Sequence, residues 1–352
     1  MKKLISLLLV LAMALTLVAC GGKTEAPAET QAAAEAPAAA PEAPAAEVTT
    51  YDVGVAIYQY NDNFMTLYRQ EIEAYFKTLE TDTVKYNITM VDSKNDMAEQ
   101  TNQIDTFITQ GMDVIILNLV QTSSAEVLID KIVAADIPLV LINREPLGET
   151  DESYPGIINN PTVCYVGADA RQSGTYQGEI VLALDDKGDV NGNGKVDYVM
   201  IIGDPENPDA QYRTEFSIKA LTDAGVEVNC LVSNVGNWDQ TKGQEIAAAA
   251  LAQFGDEIDV IFCNNDGMAL GAAAAIEAAG RVVGEDIYLL GVDALDECQE
   301  MVQAGTMTGT VLNDHIGQSH AAVDVAVKAL NGEAIDNYYW VDYLKVDAAY
   351  FG

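Results

Sequence analysis

Across 352 residues the chain carries 54 Asp and Glu against 18 Lys and Arg, a formal charge of −36. A surface of that sign repels phosphate backbones, which excludes nucleic acid as a partner. Beyond an N-terminal stretch of unusual composition, roughly 300 residues remain, more than a single core usually organises, so two lobes are expected.

The chain opens on Lys2 and Lys3, an apolar run from Leu4 to Val18, and the string Leu17-Val18-Ala19-Cys20. The apolar run is about 15 residues, short of the roughly 20 that a bilayer-spanning helix needs, and reads as a signal peptide. Its last residues resemble the lipobox of bacterial lipoproteins. That resemblance implies a lipoprotein signal over residues 1–20, a lipidated Cys20 at the start of the mature chain, and a place outside the cytoplasm with lipid as the only membrane contact. Residues 21–48 are almost wholly Ala, Pro and Glu, a composition that buries too little surface to offset chain entropy, and read as a disordered tether.

From there strand-like runs alternate with helical ones. VGVAIY precedes a helix expected over 64–78, NITMVD one over 97–110, VIILNL one over 123–134, and PLVLIN closes a first series. CYVGAD opens a second, with a helix running through 183, then YVMIIGD, a helix over 211–224, VEVNCLVS, a helix over 240–253, VIFCNN, a helix over 268–279, and YLLGVD. Continuous Val, Ile and Leu runs spaced by amphipathic helices indicate parallel strands covered on both faces. The fold class is therefore α/β, with two doubly wound parallel-sheet lobes. A helix over 316–330 and the segment YYWVDYLKV complete the chain. Crossings are placed near Asn143, Asn313 and Tyr343, giving lobes of 49–143 with 314–342 and of 144–313 with 343–352, joined by a multi-crossing hinge. Cys164, Cys230, Cys263 and Cys298 form no CxxC pair, and Cys230 and Cys263 fall in strand-like runs where a free thiol packs as a small hydrophobe, so disulfides are not expected.

Polar and aromatic clusters sit just past these strands. They are Asp62 and Phe64, Asn118, Asn143 with Arg144, Asp209 with Arg213, Trp238, Asn264 to Asp266, Asp293, and Asn313 with Asp314. Residues leaving the carboxyl ends of parallel strands converge on one crevice. Ionised Asp62, Asp209 and Asp293 suit accepting from sugar hydroxyls, Asn118, Asn265 and Asn313 donate and accept, and Arg213 donates while offsetting Asp209. Phe64 and Trp238 offer flat apolar surfaces to the C–H faces of a pyranose. Taken singly, Asp62, Asp293 and the Asn264-Asn265-Asp266 string read equally well as helix caps and turns, and the two aromatic rings as core. The joint pattern points to a crevice for a sugar.

The strings IYQYNDNFM, NLV, INREP, NPDAQYR, NNDGMALGAAAAI, GVDAL and GTVLND closely resemble the bacterial D-galactose/D-glucose-binding proteins of ABC sugar import, from about Tyr51 to the C-terminal end. The wider fold of that family is the ribose-type, or type I, periplasmic binding protein. The resemblance implies sugar contacts at Asp62, Phe64, Asn118, Asn207, Asp209, Arg213, Trp238, Asn265, Asp293 and Asn313. Phe64 and Trp238 would sandwich the ring, and Asp62 would accept from the 4-hydroxyl in either epimer. Asn207 stands where the family has His, which loosens the expected selectivity around the 6-hydroxymethyl group. The implied partners are D-galactose or D-glucose and an ABC permease, with a chemoreceptor or a histidine kinase as a further destination, and the chain would act as a monomer. A secreted carbohydrate-active enzyme is the alternative of a different class. Only His315 and His320 are present, with no GxSxG segment and no clustered thiolates, so nucleophilic and zinc chemistry lack their residues.

One further string spaces oxygen groups at alternate positions. Asp189, Asn191, Asn193, the Lys195 carbonyl and Asp197 stand at positions one, three, five, seven and nine of a loop that turns at Gly194, the pattern Ca²⁺ requires. Position twelve is Met200, so this is not an EF-hand. In the galactose-binding family the same loop is completed by a distant Glu; the matching residue is Asp259, one methylene shorter. Structural calcium is the expected cofactor.

Overall fold

The structure, a computed structural model, describes residues 47–146 and 154–352. The signal peptide, Cys20 and nearly all of the Ala/Pro/Glu stretch lie outside the described residues. In chain order the elements are β1 (Thr49–Ile57), α1 (Asn63–Leu79), β2 (Val84–Asp92), α2 (Met97–Gln110), β3 (Val114–Leu117), α3 (Ala125–Ala134), β4 (Leu139–Ile142), α4 (Pro155–Ile158), β5 (Val163–Gly167) and α5 (Ala170–Leu182). They continue as β6 (Val196–Ile202), α6 (Pro208–Asp223), β7 (Val228–Val235), α7 (Gln240–Phe254), β8 (Val260–Cys263), α8 (Asp266–Ala278) and β9 (Tyr288–Leu290). The chain ends through α9 (Asp296–Ala304), β10 (Thr310–Leu312), α10 (His315–Leu330), β11 (Tyr338–Trp340) and β12 (Leu344–Val346).

Two parallel sheets organise these elements. The first has the order β11-β5-β4-β3-β1-β2, the second β7-β6-β8-β9, and β10 pairs with β12 antiparallel beside the second. Period-two alternation explains why both faces are dry. Val114, Ile116, Val140 and Ile142 turn to a core shared with α1 and α10, while Ile115, Leu117, Leu139 and Leu141 turn to one shared with α2 and α3. In the second sheet Val199, Ile201 and Ile261 face one core, and Met200, Val260 and Phe262 the other. Burying each such side chain stabilises the fold by roughly 1.5–3 kcal/mol, which is why short strands such as VIIL and LVLI hold the centre of a sheet.

Helix limits follow local chemistry. Asp96 caps α2 by accepting from the amides of Ala98 and Glu99, and Gly111, at φ 73, ends it in a left-handed turn that a β-carbon would strain. Pro208 occupies the first turn of α6 behind the Asn207 cap.

The strand CYVGAD is a correction to the expected lobe limits. It becomes β5, which pairs with β4 on one side and β11 on the other, so it completes the first sheet. The first crossing therefore follows Gly167, not Asn143. Sequence periodicity reports that a strand is buried, not which sheet it joins. The second crossing separates β10 from α10, and the third separates β11 from β12. The four cysteines are free; Cys164, Cys263 and Cys298 are buried, whereas Cys230 is exposed on β7 and does not pack as a core residue. Among the described residues no helix is long and apolar enough to cross a membrane.

Candidate functional site

The carboxyl ends of both sheets open on one cavity of about 310 Å³, at the lower end of the range for small-molecule sites. The first lobe contributes Tyr58, just past β1, then Asp62, Phe64 and Met65 at the start of α1, and Asn143 and Arg144, just past β4. From the second come Asn207, Asp209 and Arg213 around the start of α6, Trp238 after β7, Asn265 after β8, Asp293 after β9 and Asn313 after β10. Capping and lining prove to be compatible roles. Asp62 accepts the Met65 amide at 2.7 Å through Oδ1, while its Oδ2 takes the Tyr58 hydroxyl at 2.7 Å. Asn207 accepts from Asp209 N and Asn265 from Met268 N, each through Oδ1. Asp293 caps nothing; it is held at φ 122 with its Oδ1 accepting from Asn313 Nδ2 at 3.2 Å.

Arg213 is the fixed centre of the second lobe's wall. It donates to Asn264 O at 2.8 Å and to the Tyr343 hydroxyl at 3.0 Å, and lies 3.4 Å from Asp209 and 3.9 Å from Asp293. Burial pushes the Asp209 carboxyl above its ordinary value against the opposing charges of Arg213 and Arg144. Burial also drives Asp293 well up; Arg213 opposes this, and Asp266 and Asp62 add repulsion. Arg213 Nε, Trp238 Nε1, and Nε and Nη2 of Arg144 are buried without a protein hydrogen-bond partner. Buried donors of this kind call for acceptors, and a polyhydroxylated ring supplies them. Trp238 adopts a left-handed backbone, at φ 65, and its ring lies against Gly203 so closely that a β-carbon there would meet it at 2.2 Å.

Residues 53–334 match the family model described as periplasmic binding protein domain. The chain belongs to that periplasmic binding protein family. Its members are periplasmic sugar-binding transport proteins of the ABC-importer type and are not enzymes, and they work outside the cytoplasm. This binding protein is 33% identical over 290 residues to a D-galactose/methyl-galactoside binding periplasmic protein of Haemophilus influenzae, covering 80% of this chain and 82% of that one. It is 32% identical over 298 residues to a putative rhizopine-binding protein of Rhizobium meliloti, covering 84% and 90%. An ABC transporter solute binding protein of Bacillus halodurans C-125, solved with bound myo-inositol, superimposes with a TM-score of 0.72 at 27% identity, covering 85% of this chain and 95% of that one.

Nine of the ten expected sugar contacts line the cavity; Asn118 does not. It is fully buried one residue beyond β3, between the ends of β1 and β4, where Oδ1 accepts from Tyr58 N and Nδ2 donates to Ile142 O and Asn143 Oδ1. Its amide is engaged in tying neighbouring strand ends together, and Asn143, at φ 63, holds the lining position instead. Tyr58, Met65 and Arg144 complete the wall. Arg144 was visible in the string INREP, but Tyr58 sits within an apolar run and carries no signal of its own.

The loop 189–197 of this binding protein lies apart from the cavity. Asp189 accepts from the amides of Asn193 and Gly194, and Asp259 accepts from those of Asn191 and Asp197, so Asp259 clamps the two ends of the loop. Burial raises the Asp259 carboxyl, with repulsion from Asp197 and Asp189 contributing, while Lys195 Nζ sits 2.8 Å from Asp197 Oδ1. Among the described residues no group of three or more His, Cys, Asp or Glu is arranged to hold a metal ion. A cation here would draw as well on the amide oxygens of Asn191 and Asn193 and the Lys195 carbonyl. The hard-oxygen character of the set and the crowding of negative charge around Asp259 fit Ca²⁺.

Proposed function

We propose that this protein captures D-galactose or D-glucose between its lobes, outside a membrane to which Cys20 anchors it, and delivers the sugar to an ABC permease. The observation that carries this reading is the cavity itself, where one aromatic ring from each lobe, Phe64 and Trp238, stands among three carboxylates and two guanidinium groups. An uncharged ring with hydroxyls at its rim suits that set, the flat faces taking the aromatics. Asp62, Asp209 and Asp293 accept, Arg213 and Asn207 donate. Charge-assisted bonds contribute about 1.5–3 kcal/mol net each, so three or four of them offset association entropy and leave roughly −8 kcal/mol, a micromolar affinity.

A cyclitol is the second reading, favoured by the myo-inositol held by the Bacillus halodurans relative and by Asn207 near the expected 6-hydroxymethyl group. Calorimetric titration with galactose, glucose, myo-inositol, ribose and xylose tests both. Micromolar or tighter hexose binding is expected; a ribose or xylose preference without hexose binding defeats the assignment, and myo-inositol preference selects the second reading.

We also propose that Ca²⁺ binds the loop 189–197, with Asp189, Asn191, Asn193, Lys195, Asp197 and Asp259 as its oxygen donors. The ion stiffens a surface loop and takes no part in sugar recognition. Millimolar Ca²⁺ is expected to raise the melting temperature by roughly 5 °C over the protein in chelator, the shift that saturation at about a hundred times Kd produces in a domain of this size. Identical melting curves with Ca²⁺ and with chelator rule the ion out.

A further inference from the structure

Arg144 and Asp204 form an ion pair across the cleft. Arg144 follows β4 in the first sheet and Asp204 follows β6 in the second, and Nη1 of one stands 3.1 Å from Oδ2 of the other. Both ends are held in place locally. Arg144 is almost fully buried, lies over the Tyr58 ring with its guanidinium carbon 3.8 Å from the centroid, and donates to Val120 O. Asp204 accepts the Glu206 amide through Oδ1, which leaves Oδ2 to face the other lobe. Beyond the sugar cavity lies a wider chamber of about 710 Å³ including its mouth, also drawn from both lobes. Tyr58, Arg144 and Trp238 line both spaces, whereas Asp204 lines the outer one alone.

We infer that the Arg144–Asp204 pair is a latch across the sugar's exit route, one that sets how long a bound sugar stays. This rests on the sugar-binding reading. With the lobes together, the guanidinium stands in the wall between the two spaces, and its position is fixed by the carboxylate opposite. With the lobes apart, water takes over both charges. Release requires this buried pair to break, so its loss acts on dissociation more than on association. Because Tyr58 also donates to Asp62, the latch side and a proposed sugar acceptor share one aromatic ring.

Asp204 makes the test clean, since it does not line the sugar cavity. Stopped-flow tryptophan fluorescence on the full chain with galactose, glucose and myo-inositol should show Asp204→Asn releasing bound ligand ~10-fold faster, with association altered less than about threefold. Asp204→Glu should restore slow release, and the melting temperature of the sugar-free protein should stay close to that of the parent. An unchanged release rate in Asp204→Asn overturns the latch. If the parent binds none of the three, the sugar reading fails and the latch is judged from interlobe distances. Spin labels on Lys77→Cys and Lys219→Cys in a Cys230→Ser background should show longer separations in Asp204→Asn than in the parent; identical distributions overturn it.

Discussion

Replacing Asp293 with Asn is expected to weaken sugar binding about a hundredfold, roughly 2.7 kcal/mol, while raising the melting temperature of the sugar-free protein at pH 7. The two effects share one cause. Asp293 is nearly inaccessible and its carboxyl is pushed well above the ordinary Asp value, chiefly by burial, with Asp266 and Asp62 repelling it and Arg213 and Asn313 opposing. Asn keeps an oxygen for the Asn313 amide but removes a charge whose desolvation is unfavourable at neutral pH. A group with a raised folded pKa contributes fully to stability below its unfolded value, about pH 4 for Asp, and that contribution disappears as the pH rises through the folded value. The variant lacks this dependence, so its melting temperature should gain on the parent's between pH 4 and 7. Asp209 is shifted in the same direction and Asp266 is pushed up to about 6, and both persist in the variant as an internal reference. Calorimetry and melting curves across that range check the prediction; unchanged affinity shows that the cavity takes its ligand elsewhere.

Gly203→Ala should lower sugar affinity by about ten- to a hundredfold through a residue that touches no ligand. A β-carbon at Gly203 would lie 2.2–2.3 Å from three atoms of the Trp238 ring, well inside contact distance. Gly203 has no left-handed φ, so Ala is permitted by the backbone and the effect is steric alone. The ring cannot retreat with its own backbone, because Asn237 and Trp238 are already held at φ 50 and 65. Displacing it removes one flat wall of the cavity, and overpacking of this kind typically destabilises by about 1–3 kcal/mol. Only two tryptophans are present in the chain, so the displaced indole should also alter the emission spectrum. Unaltered emission together with parent-like affinity would show that the ring does not define the sugar's plane.

Much of this was legible in the chain because each feature is local. The helix over 97–110 begins and ends where Asp96 and Gly111 place its caps, and VIIL and LVLI announce buried strands by composition. The short helix α9 escaped, since Asp296–Ala304 carries only Cys298 and Val302 into the core. What remained hidden depends on partners distant in sequence. Asn118 and Asn143 both follow buried strands, and only the order β4-β3-β1 shows that the first is enclosed by its neighbours while the second reaches the cavity. Gly203 gives no sign of Trp238, and Arg144 gives none of Asp204, until both sheets are in place.

Asn313 and Tyr343 lie at the second and third crossings, and through Asp293 and Arg213 they anchor the deepest polar groups of the cavity. The fulcrum of the molecule is thus directly beneath its cargo. Rotation about such a pivot moves the base least and the lips most, so Arg144 and Asp204 travel apart while Arg213, Asp293 and Asn313 barely shift. Unloading is consequently ordered in time: the lips part, water enters from above, and the ring is freed last from the groups under it.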